Sequence, residues 1–317
     1  MPADQSVWSD MMNPTNDRQL TPGSGPIRAL QGLYANPASS SAREKMVNAL
    51  SGLMPLLERS AEPIRVIQHL ACTGGTLFSR CLQAQPNTTV LSELDPISTI
   101  QLKTQRSGFA PTDPILLARA GLNRIDDETA VEMFLAAVGV LRARLERTGR
   151  RLVIRGHAHS QFCTEVDWNL RPTLNEMLAG LAPVRSVVTL RHPIESFTSL
   201  DHNKWHHFSP FCLDEYCLRY LAFLDRHAEI PSIRYEMLVS DPDATIRMLC
   251  DILELPFNVD WPMLIPAIRM TGDSGRRGNV IGPRPRREIS GYLVEEAAQS
   301  ENYHTLCERL GYDPSTA

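Results

Sequence analysis

Gly74 and Gly75 stand directly after a short apolar, β-branched run, IRVIQHL from Ile64, and directly before a helical pattern carried by Leu77, Cys81 and Leu82. A strand, a glycine turn and a helix in that order form a seat for a phosphate or sulfate. The glycines let the backbone pass close to the ligand, and the leading N–H groups and positive helix end point at it. Thr76 adds a hydroxyl at the first helical turn. The turn is not a Walker loop, because no lysine precedes Thr76. A second pairing lies further on, in LRHPIESFTSL, where Ser199 follows Arg191 by eight positions. A basic residue at a strand end and a serine two turns into the next helix can grip one phosphate group from two sides.

These residues need a scaffold, and the sequence supplies alternating elements. Strands are expected at IRVIQHL, TTVLS (from Thr88), RLVIRGHAH (from Arg151), VRSVVTLRHP (from Val184) and IPSIRYEML (from Ile230). Helices are expected at TLFSRCLQAQ, within a helical stretch from Ile97 to Arg150 whose best part is DETAVEMFLAAVGVLRARLERTGR, and at LNEMLAGL, IESFTSLDHNKW and LDEYCLRYLAFLDRH. Another follows at DPDATIRMLCDILEL, with Asp241 as its cap and Pro242 in its first position. The alternation implies an α/β fold, a parallel sheet covered by helices on both faces. Ligands of such sheets sit at the carboxyl ends of the strands. There the glycine loop, Glu93, His157, His159, Arg155 and Arg191 would face one crevice.

The chain resembles the sulfotransferases that use 3′-phosphoadenosine 5′-phosphosulfate (PAPS). CTGGTLFSR stands where that family has its 5′-phosphosulfate loop, and RHPIESFTS matches its R-x-P with a serine eight residues beyond the arginine. RYEMLVSDPDATIRMLCDILELPF resembles the R-Y-E-x-L-x-x-D-P segment, and SGRRGNVIGPRPRR the late basic glycine loop. The resemblance runs from about Ile64 to Arg287 and implies a P-loop-like sulfotransferase architecture. It implies that the loop of Thr73, Gly74, Gly75, Thr76 and Leu77 holds the 5′-phosphosulfate. Arg191 and Ser199 would hold the 3′-phosphate, helped by Arg276, Arg277 and Gly278.

Sulfuryl transfer, like phosphoryl transfer, is mostly positioning and neutralisation of charge. It needs a base for the acceptor and a cation at the departing oxygen. Glu93 is the first choice of base, since several branches of the family place a glutamate after the second strand, with Asp95 as its rival. His157 and His159 are the alternative, two residues apart at a strand end and so on one side. Most members carry lysine or arginine three residues before the loop threonine, where this chain has Thr73. Arg80, four residues after Thr76 on the same helix face, and Arg155 are the candidates to replace it.

Bulk properties narrow the field further. The chain has 317 residues, 43% hydrophobic and 21% charged, with net charge -4, enough for one large core and unsuited to general nucleic-acid or membrane-surface binding. No apolar run reaches the roughly 20 residues that cross a bilayer, and the N-terminus lacks a basic-then-apolar leader. Seven scattered cysteines without a CxxC pair suit a reducing cytoplasm and no zinc site. His202 and His206 have metal-like spacing but no HExxH pattern, so no metal is expected. Residues 1–26, polar and broken by prolines, read as a disordered arm, and 27–317 as one domain. Helical spacing from Ala29 to Leu57 includes a capping box at Ser41 and Glu44. The expectation is a cytoplasmic enzyme acting on a hydroxyl or amine of a small-molecule or carbohydrate acceptor, with a homodimer allowed. A P-loop kinase and a nucleotide-binding protein without transfer activity stay open beside it.

Overall fold

The computed structural model describes residues 62–100, 102, 110–270 and 280–316. The N-terminal arm, the helices expected over 29–57 and the glycine loop residues Arg276, Arg277 and Gly278 lie outside the described residues. Residues Glu62–Ala317 form one compact unit.

Among the described residues, five parallel strands make one sheet in the order β2-β3-β1-β4-β5. They are β1 (Ile64–His69), β2 (Thr88–Leu94), β3 (Arg151–Gly156), β4 (Val184–Leu190) and β5 (Ser232–Arg234). The best-buried strand, β1, lies in the middle, with Ile67 level with Arg155 on one side and Val187 on the other. Its side chains alternate between faces as a strand's must. Ile67 packs with Leu77, Phe78 and Leu82 of helix α1 (Gly75–Gln83), whereas Ile64 and Val66 pack with Phe134 and Val138 of a later helix.

The helices follow the caps that the sequence provides. Between β2 and β3 lie α2 (Pro114–Ala120) and α3 (Asp127–Arg147), opened by Asp113 and Asp126, whose side chains accept from Leu116 and Thr129 N–H. After β3 come α4 (His159–Phe162) and α5 (Leu174–Ala179), the latter opened by a Thr173–Glu176 capping box. Helices α6 (Pro193–His202) and α7 (Leu213–Arg226) separate β4 from β5. Then follow α8 (Tyr235–Ser240), α9 (Pro242–Ile252), the short α10 (Trp261–Leu264), α11 (Gly291–Gln299) and α12 (Glu301–Leu310). Asp241 accepts from Ala244 N–H at 3.1 Å, as its place before Pro242 predicts.

Three expectations need correction. The third strand stops at Gly156, so His157 and His159 do not share a strand face; His159 opens α4 and is buried. The fifth strand is only three residues long, because Tyr235 to Ser240 turn into a helix. The second strand extends beyond Ser92 to Leu94, and it does so irregularly: the register slips between Leu91, level with Ile154, and Leu94, level with Gly156. That slip is a β-bulge with Glu93 at its crest.

Candidate active site

The glycine loop is shaped by sterics on both sides. Gly74 caps α1 at φ +94°, a left-handed conformation that favours glycine, and a Cβ there would lie 2.6 Å from the Tyr235 ring. At Gly75 a Cβ would meet the His69 ring at 2.5 Å. The first turn of α1 leaves its leading N–H groups without helical partners, directed past the strand ends. Tyr216 of α7 braces the approach by donating to the Ala71 carbonyl at 3.1 Å. Thr73 is fully buried and donates its hydroxyl to the Leu70 carbonyl at 2.9 Å, so it serves the turn. Leu77 is a core side chain whose N–H is bonded to the Gly74 carbonyl. From Thr73 and Leu77, then, the crevice receives no side chain; Thr76 is the loop residue that offers one.

Arg155 supplies the cation at that hydroxyl. It lies on β3 on the same sheet face as Ile67 and Val153, the face that carries α1, and this brings its side chain under the helix N-terminus. It is 0% exposed. Nη1 donates to Thr76 Oγ1 at 2.5 Å, and Nη2 pairs with Glu93 Oε1 at 2.7 Å. Burial lowers its pKa and the Glu93 charge opposes that, so the guanidinium is a fixed positive charge with its counter-ion beside it. Arg80 goes elsewhere: its Nη2 donates to the Ile265 carbonyl at 3.0 Å.

Glu93 owes its orientation to the bulge. Its φ of +64° is strained for a non-glycine residue, and bulges of this kind re-aim a side chain. The carboxylate is 30% exposed and opens onto a cavity of about 680 Å³. Leu94, Pro96, Ile100, Ile115, Leu116 and Phe134 give that cavity an apolar wall, and His157 stands at its edge. Asp95, the rival base, is committed to the fold. It pairs with Arg171 at 2.6 Å and also accepts from the Ser160 hydroxyl and the Ile97 N–H.

The two histidines divide. Burial lowers the pKa of His157, against the pull of Glu93 and Asp95, so its imidazole is neutral at physiological pH. His159 is held well below the usual range by burial and then by the neighbouring His157 and His207. Its ring lies 5.7 Å from that of Trp205 and 5.4 Å from that of His207. His206 pairs with Asp201 at 2.8 Å.

The other half of the site gathers around Arg191. Nη1 donates at 3.2 Å both to Ser199 Oγ and to the Cys72 carbonyl of the loop, so the two distant motifs do meet. Arg191 also stacks over the Tyr235 ring at 4.8 Å, the same ring that confines Gly74. Glu236 accepts from the His192 N–H at 3.1 Å and from Tyr312 Oη at 2.8 Å, while Arg234 donates to the Leu310 carbonyl. The R-Y-E triplet therefore ties the end of β4, the glycine loop and the C-terminal helix together.

A sequence model described as the sulfotransferase family matches residues 66–259, more than half of the chain. The chain belongs to the sulfotransferase family. Among solved structures, this sulfotransferase is similar to the sulfotransferase domain of the Synechococcus PCC 7002 olefin synthase, at 16% identity over 81% of this chain and 97% of that one, with a TM-score of 0.40. It is similar also to sulfotransferase STF9 of Mycobacterium avium, at 16% identity over 89% and 84%, TM-score 0.39. A third likeness is to sulfotransferase STF1 of Mycobacterium tuberculosis H37Rv, at 13% identity over 76% and 85%, TM-score 0.35. No curated protein matches the chain.

Sequence reasoning did not find Tyr235, Glu236 and Tyr216 as supports of this sulfotransferase's site. The R-Y-E triplet carried a signal as a motif, but its contacts depend on the glycine loop, the end of β4 and α12, which come from other parts of the chain. Nor did it foresee α11 and α12. Their signal was present in Ser290 and Ser300, which cap the two helices by accepting from Leu293 and Tyr303 N–H.

Proposed function

We propose that this sulfotransferase moves a sulfuryl group from PAPS to a hydroxyl or amine of a small-molecule or carbohydrate acceptor. The observation that carries it is the buried Arg155, which touches the loop hydroxyl of Thr76 and the Glu93 carboxylate at once. On this reading Gly74, Gly75 and Thr76 receive the 5′-phosphosulfate, and Arg191 with Ser199 receives the 3′-phosphate. The acceptor enters the cavity beside Glu93 and His157.

The acceptor oxygen attacks sulfur while the bond from sulfur to the 5′-phosphate oxygen breaks. Glu93 takes the acceptor proton, and the electron pair left on the departing phosphate oxygen is neutralised by Arg155. Arg155 thus stands in for the cation that Thr73 cannot provide. No step calls on a metal. The products are the sulfated acceptor and adenosine 3′,5′-bisphosphate.

Calorimetric titration with adenosine 3′,5′-bisphosphate, with ATP as control, each without and then with added magnesium, tests the donor site. The bisphosphate is expected to bind, and Arg191→Ala to weaken it by about 100-fold, as for loss of a charge-assisted pair. A preference for magnesium-ATP would overturn the reading and favour a kinase. Bisphosphate binding without transfer from radiolabelled PAPS to any of a broad set of alcohols and amines would favour a nucleotide-binding protein instead.

A further inference from the structure

Glu195 lies in the first turn of α6, one helical turn after Arg191, and it is shared. Its Oε2 accepts from Arg191 Nη2 at 3.2 Å, and its Oε1 pairs with Arg286 Nε at 3.3 Å. One carboxylate thereby joins the arginine at the end of β4 to an arginine from the segment beyond the basic glycine loop. Arg287 bears on the same corner. Burial pushes the Cys72 thiol up to about 12, and Arg191 and Arg287 both act against that rise. Arginines and the start of a helix are the surroundings in which a phosphate is held. Here a side-chain carboxylate occupies them, accepting from two guanidinium groups much as two phosphate oxygens would.

We propose that Glu195 is the resident counter-ion of the 3′-phosphate site and that Arg286 is a second arginine of that site, turned over to the phosphate when a nucleotide binds. The proposal rests on the donor reading above. Arg191 also has Ser199 and the Cys72 carbonyl as partners, so its position does not rest on Glu195 alone. A carboxylate left beside a dianionic phosphate repels it. Glu195 therefore holds the nucleotide less tightly than the arginines alone would and favours release of the spent cosubstrate.

The test compares wild type, Glu195→Gln and Arg286→Ala, each titrated at one ionic strength with adenosine 3′,5′-bisphosphate and with adenosine 5′-monophosphate. Glu195→Gln is expected to tighten bisphosphate binding about tenfold while leaving the monophosphate unchanged. Arg286→Ala is expected to weaken bisphosphate binding about tenfold, again without effect on the monophosphate. Arg286 is more than half exposed, so its variant keeps the fold even if Glu195→Gln does not, as a melting curve on each will show. Unchanged or weaker bisphosphate binding by folded Glu195→Gln overturns the counter-ion role. Arg286→Ala that leaves bisphosphate binding unchanged, or moves both ligands together, overturns the second arginine. Failure of the donor reading looks different: wild type then binds both nucleotides equally or neither, and this proposal falls with it.

Discussion

At the scale of single residues, the site is a set of charges that each have an assigned neighbour before any ligand arrives. Arg155 with Glu93 and Arg191 with Glu195 are ion pairs of low exposure, and a pair of that kind loses much when one partner is removed. This makes isosteric variants the informative ones. Glu93→Gln keeps the shape and a hydrogen-bond acceptor for Arg155 but cannot take a proton. Its expected phenotype is a fall in kcat of about 10²–10⁴ with the bisphosphate Kd unchanged, measured by steady-state kinetics beside calorimetry. A carboxylate that only held Arg155 in place would instead lose activity and nucleotide affinity together. The residue types of the site were legible in the sequence: glycines, an arginine with a serine, a carboxylate at a strand end. Which of Arg80 and Arg155 reaches the loop was not. Helical lean from α1 and strand direction from β3 allow either, and the answer depends on the depth at which β3 sits beside β1.

Elements were read well where period and cap agreed and poorly where one residue decided. Strands β1 and β4 and helices α3, α7 and α9 have clear periodicity. The bulge at Glu93 left no trace in TTVLSEL, because it arises from the pairing of β2 with β3 and not from either strand alone. His157 and His159 were expected on one strand face for the same reason. Nothing in RLVIRGHAH announces that pairing ends at Gly156, where a Cβ would lie 2.8 Å from the Gln68 side chain. Helix α9 offers a clean test of a cap that was legible. Asp241→Ala removes the acceptor for Ala244 N–H and is expected to cost about 1 kcal/mol in urea denaturation, with little effect on nucleotide binding.

On the scale of the whole molecule, the buried histidines give the fold a direction of pH sensitivity. Burial lowers His69 from its ordinary 6.5 to about 3, and it also depresses His157, His159, His192 and His227. These imidazoles are neutral in the native state and free to protonate once unfolded. Unfolding therefore takes up protons below about pH 6.5, and stability falls as the pH drops from there, by up to about 1.4 kcal/mol per pH unit for each such group. Urea midpoints are expected to be flat between pH 7 and 8 and to decline from pH 6.5 to 5; a midpoint that rises on acidification would contradict this. The sheet order has a separate consequence, for the nascent chain. The strand that carries the glycine loop is the first of the five to be synthesised, yet its two neighbours, β3 and β4, come only with residues 151–156 and 184–190. Until then the ribosome presents an apolar segment with both edges open, and its one early companion, β2, is never its partner. Such delayed pairing is slow and prone to aggregation. A chain interrupted before Val184 is thus expected to be captured by chaperones or degraded, and one released after Leu190 to be the shortest that can close the sheet around its own first strand.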